Sequence, residues 1–253
     1  MVISLQGQSV VVTGGAVRVG RTIALACAQA GANVAITYNR SQVAALRTLS
    51  ELEIVGKTAG GTQYAAFRGD VSKAEDVHRM ADEITNSFGP PTALVNSAAI
   101  FRRTPFEIMT EADFDDHIAA NLKGPYLMSK CFGDLFLEQG HGAIVNIADI
   151  HGLRPLKNYI PYCVSKAGVV MLTEALAKAL APAVRVNCIC PGTILTPSET
   201  QGEDDDAAAL IEKVPLGRLG EPEEIADTVV FLIGGPSFIS GAILPVDGAQ
   251  RLR

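Results

Sequence analysis

Tyr162 and Lys166 stand four residues apart. On a helix that spacing places both side chains on one face, the ammonium beside the phenol. A nearby cation favours phenolate and would draw an unperturbed pKa of about 10 toward neutrality. A phenol tuned in that way could give or take a proton during reduction of a carbonyl or an imine. Asp149 ends the apolar run 143–149 just upstream and bears on which of the two is reduced. A serine hydroxyl at such a place would donate to a ketone oxygen, whereas an ionised carboxylate would repel the developing alkoxide. Asp149 could therefore serve a ketone only if it were kept protonated. As a carboxylate it could accept from the nitrogens of a flat heterocycle or favour a protonated imine. Tyr126 and Lys130 repeat the spacing, but they fall in the middle of a long helical pattern and read as packing and surface residues.

A proton donor for reduction needs a hydride carrier. Thr13, Gly14 and Gly15 follow a strand-like run, and Arg18, Val19 and Gly20 open a helical one. Glycines there allow a tight turn and close approach of backbone to a pyrophosphate resting on the helix N-terminus. An ordinary tight turn would look similar; the strand before and the helix after are the confirming context. At the end of the second strand-like run, an acid would hold a free ribose 2′-hydroxyl. The chain has Tyr38, Asn39, Arg40 and Ser41 instead. Arg40 suits a 2′-phosphate and Ser41 a phosphate-binding helix start. Arg18 adds a second cation, so NADP(H) is expected over NAD(H). A solvated loop arginine is the plainer reading of Arg40.

The elements that would position these groups alternate along the chain. Strand-like runs at 9–13, 33–38, 63–67, 93–96, 143–148, 184–189 and 242–246 are separated by helical patterns at 18–30, 42–55, 73–88, 111–138, 159–180 and 222–232. Near-continuous apolar strands between helices predict a parallel sheet covered on both faces. The expected fold is α/β, one Rossmann-type doubly wound domain over 1–253 with about seven strands, its ligands at the C-terminal strand ends. The chain of 253 residues is 48% hydrophobic and 19% charged, with net charge −6. That composition supports a sizeable core and argues against nucleic acid or anionic membrane as partner. No basic, apolar leader and no apolar stretch of transmembrane length is evident. The five cysteines are odd in number and lie within predicted elements, as reduced cytoplasmic thiols would. Cys188 and Cys190 read as two strand residues on one face, and no metal spacing is found among His78, His117 and His141.

Taken in order, Thr13 to Gly20, Asp70 with Val71, Asn96-Ser97-Ala98-Ala99, Asn121, Tyr162 with Lys166, Pro191 with Gly192, and Val246-Asp247-Gly248 resemble the short-chain dehydrogenase/reductase family along nearly the whole chain. The resemblance implies that Asp70 and Val71 contact the adenine and that Asn96, Ser97 and Ala98 line the cofactor groove. It implies that Pro191, Gly192, Thr193 and Ile194 flank the nicotinamide, and that Lys166 also holds the ribose hydroxyls. Asn121 would hold a water in a proton relay through Lys166. The family's middle turn glycine is Arg18 here, and its catalytic serine is Asp149. Both departures, together with Phe101 as a stacking residue, resemble the pteridine reductase branch. That branch implies reduction of a pterin-like C=N substrate, with Arg18, Phe101, Asp149 and Tyr162 around the ring. The alternative is a 3-oxoacyl or other ketone reductase, and a third reading is a non-catalytic NADP(H) sensor. The family further implies a homotetramer built on the long helices after strands four and five, and a substrate loop around 193–214. The acidic run 203–206 in that loop, if it faced the entrance, would weigh against a strongly anionic substrate. His151, two residues beyond Asp149, reads as a surface or capping residue.

Overall fold

The computed structural model describes residues 3–59, 63–194 and 207–253. Seven strands among them form one parallel sheet: β1 (Ser9–Thr13), β2 (Asn33–Tyr38), β3 (Tyr64–Arg68), β4 (Ala93–Asn96), β5 (Gly142–Ile147), β6 (Val184–Pro191) and β7 (Ile243–Val246). The strand order is β3-β2-β1-β4-β5-β6-β7. The order reverses between β1 and β4, which opens a crevice at their C-terminal ends.

Side-chain alternation explains why both faces are covered. Val10 and Val12 enter one core cluster, with Ile23 and Cys27 of α1 (Arg18–Gln29), Leu52 of α2 (Gln42–Ala59) and Ile225 and Val229 of α8 (Pro222–Gly234). Val11 enters the other, with Met80 and Ile84 of α3 (Ala74–Phe88) and Phe132 and Phe136 of α5 (Gly124–Gln139). The period-two pattern thus delivers apolar residues to both layers. The domain is a single α/β unit of Rossmann type, as expected.

The long helical pattern at 111–138 resolves into three pieces. A capping box of Thr110 and Asp113 starts α4 (Glu111–Ile118). A five-residue π-helix, Ala119–Lys123, follows, and α5 continues from Gly124. Pro125 has no N–H to offer the carbonyl four residues back, at Asn121. The Gly124 N–H reaches Ala119, five residues back. The wider turn therefore falls on Asn121, and such turns are frequent at functional sites. α7 (Ala207–Glu212) occupies part of the stretch that the sequence left as a polar excursion; the acidic run 203–206 and most of the expected substrate loop lie outside the described residues.

One described helix, α6 (Ile160–Ala179), is long and apolar enough to cross a membrane by length and composition, which corrects the expectation that no stretch reaches that length. It carries Tyr162 and Lys166 and packs on β6, and its apolar residues divide between that buried face and an exposed one that includes Val164 and Met171. All five cysteines are free. Cys188 and Cys190 share one face of β6 with their sulfurs 4.0 Å apart.

Candidate active site

The turn after β1 is shaped by contacts that leave no room for side chains. Gly14 has φ +65°, and a Cβ on it would lie 2.9 Å from Ala98 Cα. A Cβ on Gly20 would run into the Gly14 carbonyl. The Thr13 hydroxyl accepts from the backbone N–H groups of Ser97 (2.9 Å) and Ala98 (3.0 Å), which pins the end of β1 to the segment after β4. The result is a narrow backbone cradle at the N-terminus of α1, the kind that admits a pyrophosphate. Arg18 sits in this cradle with φ 50°, a conformation that costs a non-glycine residue about 1–3 kcal/mol. Its side chain is exposed, while Val19 beside it packs toward the core.

The flanks of the cradle are polar. Arg40 and Ser41 are exposed beyond β2, and Arg40 forms no ion pair among the described residues. Asn39 reaches Asp70 after β3, and Asp70 also accepts from the Ser72 N–H (3.0 Å) and hydroxyl (2.7 Å). Burial would raise the Asp70 pKa, but these hydrogen bonds and Lys73 outweigh it and hold the group below the usual carboxylate range. Val71 packs into the α3–α5 core cluster beside Gly124. On the far side, Gly192 N–H donates to Val246 at 3.0 Å, and Gln250 clamps Thr193 by two hydrogen bonds of 2.9 and 3.0 Å. Ile194 forms an isolated bridge with Gly220. Pro191 to Ile194 is thereby fixed against the C-terminal segment.

The Tyr162–Lys166 pair lies across the crevice. Pro161 in the first turn opens α6, so Tyr162 and Lys166 stand one turn apart, 6% and 4% exposed. Asp149, extended at φ −170°, caps a short helical turn at Ile150–Gly152 by accepting from the His151 N–H at 2.8 Å. Its other oxygen accepts from the Tyr162 hydroxyl at 2.7 Å. Lys166 Nζ donates to the Ile147 carbonyl at 2.8 Å and lies 5.7 Å from the centre of the Tyr162 ring. The expected direction of the phenol's shift is corrected by this arrangement. Burial first, then the charge and hydrogen bond of Asp149, push Tyr162 well above the ordinary tyrosine value. The ammonium cannot reverse this because it contacts the ring face and a carbonyl, while burial lowers its own pKa. The surroundings of Tyr162 thus favour the phenol over the phenolate.

Phe101 forms the exposed wall of the site. It stacks on Tyr159 (centroids 4.5 Å apart, planes at 8°) and meets Tyr162 edge-on at 4.7 Å. Two devices hold it there. Thr104 N–H donates to the Asn158 carbonyl at 2.7 Å. The Asn121 amide grips both backbone groups of Ile100, at 2.8 and 2.9 Å, and reaches Ser165 Oγ at 3.2 Å. Asn121 is thus brought close to the pair, but its side chain touches Ile100 and Ser165 rather than Lys166.

The conformation shows the family as clearly as the chemistry does. A family model described as enoyl-(acyl carrier protein) reductase matches residues 15–249. The chain is 34% identical to a 3-oxoacyl-[acyl-carrier-protein] reductase of Staphylococcus epidermidis over 97% of its length and 99% of that protein. The chain belongs to the short-chain dehydrogenase/reductase family. It is likewise 35% identical to a D-threitol dehydrogenase of Mycolicibacterium smegmatis, covering 98% and 95% of the two chains. A solved short-chain type dehydrogenase/reductase from Mycobacterium marinum superposes with TM-score 0.91 at 31% identity, covering 98% and 97%. As a short-chain dehydrogenase/reductase the protein is an oxidoreductase that binds a nicotinamide cofactor, and the glycine cradle fits one. These relatives do not single out the pteridine reductase branch.

One residue that the family resemblance placed in the cofactor groove lies elsewhere, and several of its neighbours escaped the sequence. Asn96 does not open onto the crevice: it is 3% exposed and donates to Ser129 Oγ (3.0 Å) and Asn146 Oδ1 (2.8 Å). Asn146 in turn donates to Thr173 Oγ1 at 2.9 Å. This buried polar ladder ties β4 and β5 to α5 and α6 beneath Tyr162 and Lys166. His117 is fully buried with Nδ1 2.7 Å from the Asp113 carbonyl, and its ring centre is 6.5 Å from that of Tyr162. Tyr126 is half exposed and Lys130 pairs with Asp134, the surface role expected of them.

Proposed function

We propose that the protein is an NADPH-dependent ketone reductase in which Tyr162 is the proton donor. The observation that carries this reading is the buried Tyr162 hydroxyl, one helical turn from Lys166 and 2.7 Å from an Asp149 oxygen. Relatives that match along the whole chain bear the names 3-oxoacyl-[acyl-carrier-protein] reductase and acetoacetyl-CoA reductase, so the ketone alternative of the sequence reading takes precedence over pterin reduction. Bound NADPH supplies the hydride, its 2′-phosphate held by Arg40 and Ser41, its adenine by Asp70 and Val71. Thr13, Gly14, Arg18, Val19 and Gly20 hold the pyrophosphate, and Ser97, Ala98 and Pro191 to Ile194 bound the groove. Tyr162 gives its proton to the oxygen that becomes the alcohol. A buried phenolate is costly, so a proton from solvent must restore the Tyr162 hydroxyl, and the Asp149 side chain, 2.7 Å away, is the group that lies beside it. Lys166 holds positive charge close to the transient phenolate, and Asn121 keeps Ile100 and Phe101 in place.

One feature favours a second reading. The half-exposed face of Phe101, backed by Tyr159, is a platform for a flat ring, as reduction of a pterin-like C=N would need. The deciding experiment is NADPH and NADH oxidation with acetoacetyl and longer 3-oxoacyl thioesters, simple ketones, dihydrobiopterin and dihydrofolate. Ketone turnover with NADPH preferred is the expected result. Turnover of pterins alone would overturn it. The homotetramer belongs to the same proposal: Tyr126 of α5 and Val164 and Met171 of α6 leave apolar surface exposed, and light scattering gives the mass.

A further inference from the structure

A cavity of about 500 Å³, within the range of small-molecule sites, is lined in part by Ile150 and His151, the two residues that follow Asp149. Its walls come from three places: Ile150, His151 and Arg154 after β5, Glu212 and Lys213 at the end of α7, and Gln250, Arg251 and Arg253 at the C-terminal segment. Four cationic side chains therefore face one space in a chain whose net charge is −6. Glu212 is the one acidic side chain among the described lining residues. None of the four cations forms an ion pair among the described residues. Arg154 is oriented by donating to the Arg251 carbonyl at 3.0 Å. Asp247 fixes the last wall by accepting from the Ala249 and Arg251 N–H groups at 3.0 and 2.9 Å. Like charges gathered in a concave space, with no ion-pair partner among the described residues, raise the local concentration of anions.

The cavity is joined to the chemistry at two points. His151 lines it and donates its N–H to Asp149, whose other oxygen holds the Tyr162 hydroxyl. Gln250 lines it and clamps Thr193. These two contacts put the cavity next to the residues that flank Tyr162, and a substrate long enough to pass them would enter it. We infer that the substrate carries an anionic group, a carboxylate or a phosphate, which this cavity receives through Arg154, Lys213, Arg251 and Arg253. The inference rests on the ketone reading for the position of the reacting carbon.

The test compares matched substrates in the full chain: acetoacetate against ethyl acetoacetate, and dihydroxyacetone phosphate against dihydroxyacetone. Each is assayed by NADPH oxidation in the wild type, Arg154→Ala and Lys213→Ala. The Lys213 side chain makes no hydrogen bond or ion pair with another described residue, so its variant guards against a fold defect in the first. Loss of a charged hydrogen bond predicts that kcat/KM for the anionic member falls about 10–100-fold, less at high salt, while the neutral member is unchanged. The carboxylate and phosphate pairs show which anion is preferred. Equal losses for both members, or none for either, would overturn the inference. If no ketone turns over in the wild type, the ketone reading fails by itself. The cavity is then judged by calorimetry of acetoacetate and inorganic phosphate on NADPH-saturated protein. Binding weakened in both variants supports the anion site, and binding that is absent or unaltered overturns it.

Discussion

The turn after β1 and the wall after β5 face each other across one crevice but are built by different means. The turn is backbone against backbone: Gly14 against Ala98, Gly20 against the Gly14 carbonyl. Its chemistry is an absence of side chains, and any added atom collides. The catalytic wall is side chain against side chain: Tyr162 on Asp149, Asn121 on Ile100, Asn96 on Asn146 on Thr173. Steric exclusion makes the first region rigid, and mutual satisfaction of buried polar groups makes the second rigid. The two should therefore fail differently when altered.

The largest effect is expected on the catalytic side and in rate alone. Tyr162→Phe removes the proton donor and should lower turnover on the order of 10²–10⁴-fold, with NADPH affinity by fluorescence titration unchanged. Equal loss of affinity would mean that the two regions are not separable. Asn146→Leu breaks the ladder and leaves Asn96 and Thr173 each short of a partner. Denaturant unfolding should show a loss of about 2–4 kcal/mol, the sum of two buried hydrogen bonds and their half-satisfied partners. Gly20→Ala should cost about 1–3 kcal/mol by overpacking and, unlike Tyr162→Phe, weaken NADPH and NADH binding together. Arg40→Ala is the finest cut. It should weaken NADPH binding about 10–100-fold through one charge-assisted contact and leave NADH binding and stability as they were. An equal change for both cofactors would remove Arg40 from the 2′-phosphate site.

The same contrast governs what could be read from the residues. The strand β1, the glycine turn and the Tyr162–Lys166 spacing were legible because each is written in adjacent or helically spaced positions. The seven-stranded parallel order followed from apolar runs alternating with helices. The ladder was not legible, since Asn96 and Asn146 meet across 50 positions and Asn146 and Thr173 across 27. The role of the Asn121 side chain was hidden for the same reason, and it needed the π turn that Pro125 helps to create. The sign of the Tyr162 shift was misread because spacing tells that a cation is near but not where it points. Lys166 points at a carbonyl, and the burial that decides the matter comes from the whole fold. The basic cavity was invisible because its arginines and lysine come from three distant segments.

The most direct test of the account is the pH dependence of kcat/KM for ketone reduction in the wild type and in Asp149→Ser. The raised Tyr162 pKa means that the acid form persists above the ordinary tyrosine value, so the wild-type rate should hold beyond about pH 10 before it falls. Serine removes the carboxylate charge and the hydrogen bond that help raise that pKa, and leaves burial in place. The alkaline fall should therefore move to lower pH in the variant. Superimposable profiles, or a fall that moves to higher pH, would contradict the assignment of Asp149 as a group that adds to burial in raising the Tyr162 pKa.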